Sequence, residues 1–144
     1  MDIFSTEDQD RIVQAISVAE GKTSGEIRLV IYKKLKEASA MDAAVSYFQK
    51  LDMHKTALNN GVLIYMAVDD HQFAIIGDRG IDTKVEDNFW DETKELMASF
   101  FRRDEIVQGL IEGIHHVGEQ LQKYFPRNGD DVNELPDDIY FGKN

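Results

Sequence analysis

The sequence has no cysteine. Disulfides, thiolate nucleophiles and cysteine-held zinc are therefore excluded, and the redox compartment leaves no mark on the chain. Proline is scarce, and both copies, Pro126 and Pro136, fall in the last part of the sequence. Positive charge is in short supply as well: 16 Lys and Arg stand against 27 Asp and Glu, a net charge of −11. Nucleic acid and anionic membrane surfaces need clustered basic residues, so neither is the expected partner. An acidic surface suits cations or basic partners, and also serves solubility. No apolar run approaches the roughly 18 residues of a membrane-spanning helix. The opening "MDIFSTEDQD" is acidic and lacks the basic-then-apolar pattern of an export signal. A cytoplasmic location without membrane insertion is the expectation.

What remains is the composition of a folded domain, 42% hydrophobic and 30% charged over 144 residues, enough for one substantial core. Ser5-Thr6 followed by Gln9 has the spacing of a helix-capping box. The stripe Ile12, Ala15, Ile16, Ala19 then predicts a helix stopped by Gly21. "GEIRLVIYK" (25–33) alternates Ile27, Leu29 and Ile31 with other residues, as a strand does. A second helix is expected from a Ser39 cap to about His54. "GVLIYMAV" (61–68) reads as a buried central strand, and a turn at Asp69-Asp70-His71 leads into a third, "QFAIIG" (72–77). A capping box at Thr83 and Glu86 predicts a helix carrying Val85, Phe89, Leu96, Met97 and Phe100. A last helix covers about 104–124, with Gly109 and Gly113 one turn apart for close packing. Residues 1–125 form the domain; residues 126–144 form an acidic tail, partly disordered, in which Ile139-Tyr140-Phe141 could dock as an edge strand. The order implies an α/β fold, a three-layer α/β/α sandwich around a small mixed sheet of three to four strands.

Chemistry concentrates in the turn "GDRGID" (77–82). Between Asp69 and Glu92 there are eight acidic residues against two basic ones. Strand order divides them. A strand–helix–strand crossover followed by a hairpin puts Glu26, Asn60 and Asp78 at one edge of the sheet, with Asp69 and Asp70 about 20 Å away at the other. The candidate ligands are Asp78, Asp82, Glu26, Asn60, Asp52 and Glu86, hard oxygen donors that suit Ca²⁺, or Mg²⁺, rather than zinc. The competing explanation is that Asp82, Glu86 and Asp87 only favour a helix N-terminus. The turn is no EF-hand: counted from Asp78, positions six and twelve hold Thr83 and Phe89. It carries no phosphate-loop glycine pattern either. His115 and His116 are neighbours on a helix and point apart; His54 and His71 lie at loop edges. Thr56 and Thr83 are the hydroxyls nearest the turn.

Together "TSGEIRLVI", "HKTALNNGVLIYMAVDDHQFAIIGDRGI", a tryptophan-bearing helix and "IVQGLIEGIHHVGEQL" resemble the TPM domain family over about residues 5–125. The resemblance implies a sandwich of Rossmann-like appearance. It also implies a bound divalent cation, often calcium, in some members and acid phosphatase activity in a plant branch. The family's glycine turn maps onto Gly77 and Gly80, and its following acidic position onto Asp82. Asp78-Arg79 stands where many members have a single aromatic residue. Many members also carry an export signal and a membrane helix, which this sequence does not show. Three functional classes follow: a cation-responsive binding or regulatory module, a metal-dependent phosphatase, and an interaction domain without a ligand.

Overall fold

A computed structural model describes residues 3–127 and 139–142. The first helix, α1 (Thr6–Glu20), is capped by Ser5 and not by Thr6: the Ser5 hydroxyl accepts from the Asp8 amide at 3.1 Å, and the Gln9 side chain donates to the Phe4 carbonyl. Its stripe of Ile12, Ala15, Ile16 and Ala19 is buried, and Gly21 ends it as expected. Strand β1 (Glu26–Tyr32) follows. Helix α2 (Ala40–Lys50) starts at Ser39, whose hydroxyl accepts from the Asp42 amide. It stops short of His54 because Asp52 takes a left-handed backbone (φ 59°), and a single 3₁₀ turn, Met53–Lys55, carries the chain on.

Strand β2 (Gly61–Ala67) is buried along its whole length, and a tight turn at His71 (φ 55°) returns the chain as β3 (Gln72–Gly77). Then comes a one-turn helix, α3 (Arg79–Asp82), followed by α4 (Phe89–Phe101) and α5 (Ile106–Tyr124). Strand β4 (Ile139–Phe141) closes the described chain. The strands lie in the order β3-β2-β1-β4. β1 is parallel to both β2 and β4, and β3 is antiparallel to β2.

Helices cover both faces, which is why β1 is buried on both sides although its sequence alternates. On one face Ile27, Leu29, Ile31, Val62 and Ile64 meet α1, α4 and α5 through Ile12, Ile16, Met97, Leu110 and Ile114. On the other, Val30, Leu63 and Tyr65 meet Ala43, Ala44, Tyr47 and Phe48 of α2. Each fully buried aliphatic side chain contributes about 2 kcal/mol of transfer free energy. This is the expected α/β/α sandwich, with four strands. Gly109 and Gly113 let α5 lie against Phe101 and Met97, where a Cβ would collide with those side chains. The tail segment Ile139–Phe141 does dock as an edge strand; the expectation of disorder in the preceding stretch falls outside the described residues.

Candidate functional site

The pairing register fixes one edge of the sheet. Glu26 of β1 is opposite Gly61 of β2, and Gly61 accepts the Asp78 amide at 2.9 Å. Glu26, Gly61 and Asp78 thus form one cross-strand row, two strand spacings or about 10 Å from end to end. By strand alternation the two carboxylates share the face that carries Val30 and Leu63. The residue between them has no side chain, and the reason is local: a Cβ on residue 61 would stand 3.0 Å from the Met53 carbonyl oxygen. The 3₁₀ turn after α2 therefore brings a backbone carbonyl over the gap between two acids.

These groups are withdrawn from water. Glu26 and Asn60 are each 1% exposed, and Asp78 is half-buried. Asn60 is held in place by two bonds that it donates: its backbone N–H to the Thr56 hydroxyl at 3.2 Å, and its side-chain NH₂ to Ser24 Oγ at 3.3 Å. The Asn60 side-chain oxygen is buried with no hydrogen-bond partner, and so is Oδ2 of Asp78. A buried acceptor left without a donor costs about 1–3 kcal/mol, more for a charged group, so two at one edge require an explanation.

The turn that presents Asp78 is built differently from the sequence expectation. The Thr83–Glu86 capping box is not used. Asp78 itself caps α3, its Oδ1 accepting from the Arg79 amide at 2.7 Å, while Thr83 ends the turn by donating its hydroxyl back to the Arg79 carbonyl. The longer helix begins only at Phe89. Gly80 is required: a Cβ there would be driven into the carbonyl oxygens of Leu58 and Asn59, and its amide donates to Asn59 at 2.7 Å. Ile81 is fully buried beneath the turn.

The remaining sequence candidates are placed as follows. Asp82 is exposed and accepts the Trp90 indole N–H at 2.8 Å. Asp52 is exposed and ion-paired with Lys55 at 3.2 Å. Glu86 is exposed, and its carbonyl accepts the Phe89 amide. The edge therefore unites Glu26, Asn60 and Asp78, with Asp82 one turn beyond. Among the described residues no three carboxylate or imidazole groups converge as a metal cluster. Any cation here would rely on two carboxylates, an amide oxygen and backbone carbonyls. Among the histidines, His116 bonds Thr93 Oγ1 at 2.6 Å and stacks on Phe89, and His115 lies beside Glu112.

Sequence reasoning missed a cluster of tyrosines. Tyr32, Tyr47, Tyr65 and Tyr140 pack together under α2, with ring centroids 5.4–6.4 Å apart, and the Tyr32 and Tyr47 hydroxyls touch. The Tyr65 hydroxyl is buried without a partner, and burial pushes its phenol up to about 12, with Glu37, Tyr47 and Asp70 adding to the rise. Tyr47 is raised by burial and then by Tyr140. The signal was the even-numbered register Val30, Tyr32 on β1 set against Tyr65 on β2 and Tyr47 on a helix over that face.

Among the described residues no helix is long and apolar enough to cross a membrane. No curated protein matches the chain. Solved structures do. The solution structure of BA42 protein from the psychrophilic bacterium Bizionia argentinensis is 44% identical, covers 98% of this chain and 97% of its own, and superposes with a TM-score of 0.90. Two further structures are similar in fold alone. The N-terminal domain of cg2496 protein from Corynebacterium glutamicum is 14% identical, with TM-score 0.67 over 92% of this chain and 82% of its own. An N-terminal domain from P. gingivalis is 18% identical, with TM-score 0.70 over 85% and 79%. The TPM domain profile matches residues 1–120. With that match across most of the sequence and the sandwich it accompanies, the chain belongs to the TPM domain family.

Proposed function

We propose that this TPM domain binds a divalent cation, Ca²⁺ ahead of Mg²⁺, at the sheet edge formed by Glu26, Asn60 and Asp78, and serves as a cation-responsive binding or regulatory module. The observation that carries the reading is Asp78 Oδ2, a buried carboxylate oxygen without a hydrogen-bond partner, in the same cross-strand row as the buried Glu26. Asn60, with its own orphaned oxygen, and the Met53 carbonyl supply the neutral donors that a hard, oxygen-seeking ion takes alongside carboxylates. Two like charges on one face repel unless protons or a cation intervene. Ca²⁺ is favoured because it accepts irregular sets of six to eight oxygens, whereas Mg²⁺ demands near-octahedral geometry. Exposed Asp82, Asp52 and Glu86 are placed to raise the local negative potential, not to complete the inner set.

The metal would supply positive charge that holds the β1, β2 and β3 ends together, and the role would be structural or regulatory. Calorimetric titration with CaCl₂ into chelator-stripped protein tests it directly. A saturable heat with a stoichiometry near one is expected, and it should be weakened by Asp78→Asn. A flat titration would refute the cation reading and leave an interaction domain without a ligand. The family resemblance also raises a metal-dependent phosphatase, which needs a hydroxyl or an activated water beside the ion. The Thr56 hydroxyl already accepts the Asn60 amide and the Thr83 hydroxyl already donates to Arg79. No observation favours that reading. Turnover of a generic phosphate ester, with and without chelator, is its test.

A further inference from the structure

We infer that Trp90 is a positioning residue for this edge: through its hydrogen bond to Asp82 it fixes the α3 turn that presents Asp78, so that cation affinity depends on a side chain that touches no cation. The inference rests on the cation reading above and adds a residue that the donor set alone does not contain.

The α3 turn is a single turn of four residues, too short to hold its shape by its own hydrogen bonds. Three outside contacts fix it. At Gly80 it lies against the carbonyls of Leu58 and Asn59. At Ile81 it is sunk into the core. At Asp82 it is held from α4, because Trp90 Nε1 donates to Asp82 Oδ1 at 2.8 Å. The indole does more than donate. Its ring lies over Gly77, the last residue of β3, where a Cβ would come within 2.5 Å of the ring, and it packs edge-on against Phe89. One side chain therefore contacts the residue before Asp78 and the residue four after it.

This arrangement assigns Asp82 a duty other than ligation. Its Oδ1 is spent on the indole, and it stands at the last residue of the turn, so the bond ties that end to α4. A carboxylate that must bring its oxygens to an ion beside Glu26 gains affinity from being held there in advance, since the ordering cost is then met by the fold and not by the ion. The adjoining wall, Gly77, is held by the same ring. Trp90 is also the chain's single tryptophan, so its emission reports this contact without a label.

The decisive experiment combines calorimetric Ca²⁺ titration of the full chain with Trp90 fluorescence and thermal unfolding in chelator. In the wild type, emission should change over the same concentration range as the calorimetric heat. Trp90→Phe keeps a ring over Gly77 but loses the donor, and should weaken Ca²⁺ binding roughly three- to tenfold, the order of the net contribution of one solvent-exposed hydrogen bond. Asp82→Ala should weaken it by a similar factor. The double variant should be no worse than either alone, because both remove the same contact. Asp82→Asn preserves an oxygen acceptor for the indole and should bind within about twofold of wild type, the residual effect being one screened charge. Unfolding midpoints in chelator identify any variant that loses affinity only by failing to fold. If Ca²⁺ binds the wild type but Trp90→Phe binds equally well, the positioning role is overturned and the cation reading stands. If Asp82→Asn binds as poorly as Asp82→Ala, Asp82 is a ligand and the inference is overturned in that way. If the wild type gives no heat, the cation reading itself fails and the inference with it.

Discussion

The two ends of the sheet use the same residue type in opposite conditions. At the carboxyl ends of β1 and β2, Asp69 and Asp70 are exposed. The Asp70 carboxylate accepts the Leu35 amide at 2.6 Å, and the Asp69 amide donates to Lys33. Asp70 there staples one loop to another and has its donor, and the exposed Asp69 carboxylate is open to water. At the amino end, Glu26 is 1% exposed and Asp78 holds one oxygen out of water without a donor. A count of carboxylates would not separate these ends. Burial and hydrogen-bond satisfaction do, because a solvated carboxylate needs nothing further while a buried one must find a donor, a proton or a cation.

That contrast can be broken or sharpened by measurement. The largest effect is expected from Gly80→Ala, since the new methyl has nowhere to go but into two backbone carbonyls. Urea unfolding should show a loss of about 3 kcal/mol, with Ca²⁺ binding lost as the turn moves. Close in size is the cation itself: at about a hundred times its dissociation constant, Ca²⁺ should stabilise the fold by roughly 2.7 kcal/mol over chelator. Coincident melting curves would erase the distinction between the two ends. Asp78→Asn should abolish most of that difference, yet leave the chelated protein as stable as wild type or slightly more so, because a repelling charge has gone. At the other end, Asp70→Ala should cost about 1 kcal/mol for the lost bond to Leu35 in both calcium and chelator. A change in calcium affinity there would show that the two ends are coupled.

The smallest effect at neutral pH belongs to Tyr65. Its hydroxyl is buried and unpaired, so Tyr65→Phe should be neutral or stabilise by up to about 1 kcal/mol. Its signature lies at alkaline pH. The phenol titrates near 10 when unfolded and is raised to about 12 when folded, so the folded state holds its proton longer. The associated stability is complete below pH 10 and is lost as pH rises from 10 through 12. Unfolding midpoints across that window should fall less steeply in Tyr65→Phe than in wild type.

Much of the frame was legible because periodicity carries it. The uninterrupted apolar run 61–68, of strand length and rich in branched residues, reads as a buried central strand, and β2 is buried throughout. The crossover and hairpin by themselves put Glu26, Asn60 and Asp78 at one edge, and the register agrees. What was not legible depends on competition between local hydrogen bonds. Thr83 and Glu86 have the spacing of a cap, but the Thr83 hydroxyl found the Arg79 carbonyl behind it instead of an amide ahead, so the helix began six residues later, at Phe89. Nor could spacing tell that Asp82 would be engaged by an indole from another helix, or that Asp52 would turn to Lys55. Those partners are tertiary, and a sequence window does not contain them.

One detail at the far side of β1 concerns a sheet edge that could otherwise be left open. Among the described residues, strand β4 pairs with Leu29, Val30 and Ile31 of β1, and the first part of β1 has no strand partner on that side. Instead the Ile27 amide donates at 2.6 Å to Oε2 of Glu20, a carboxylate that is 2% exposed. A side chain thus occupies the place where a foreign strand would begin to pair. Open sheet edges are the usual starting points of aggregation, and a side-chain oxygen that already holds the Ile27 amide removes one donor from that template. Replacing Glu20 would therefore be felt in the test tube as turbidity and not only as a lower melting point.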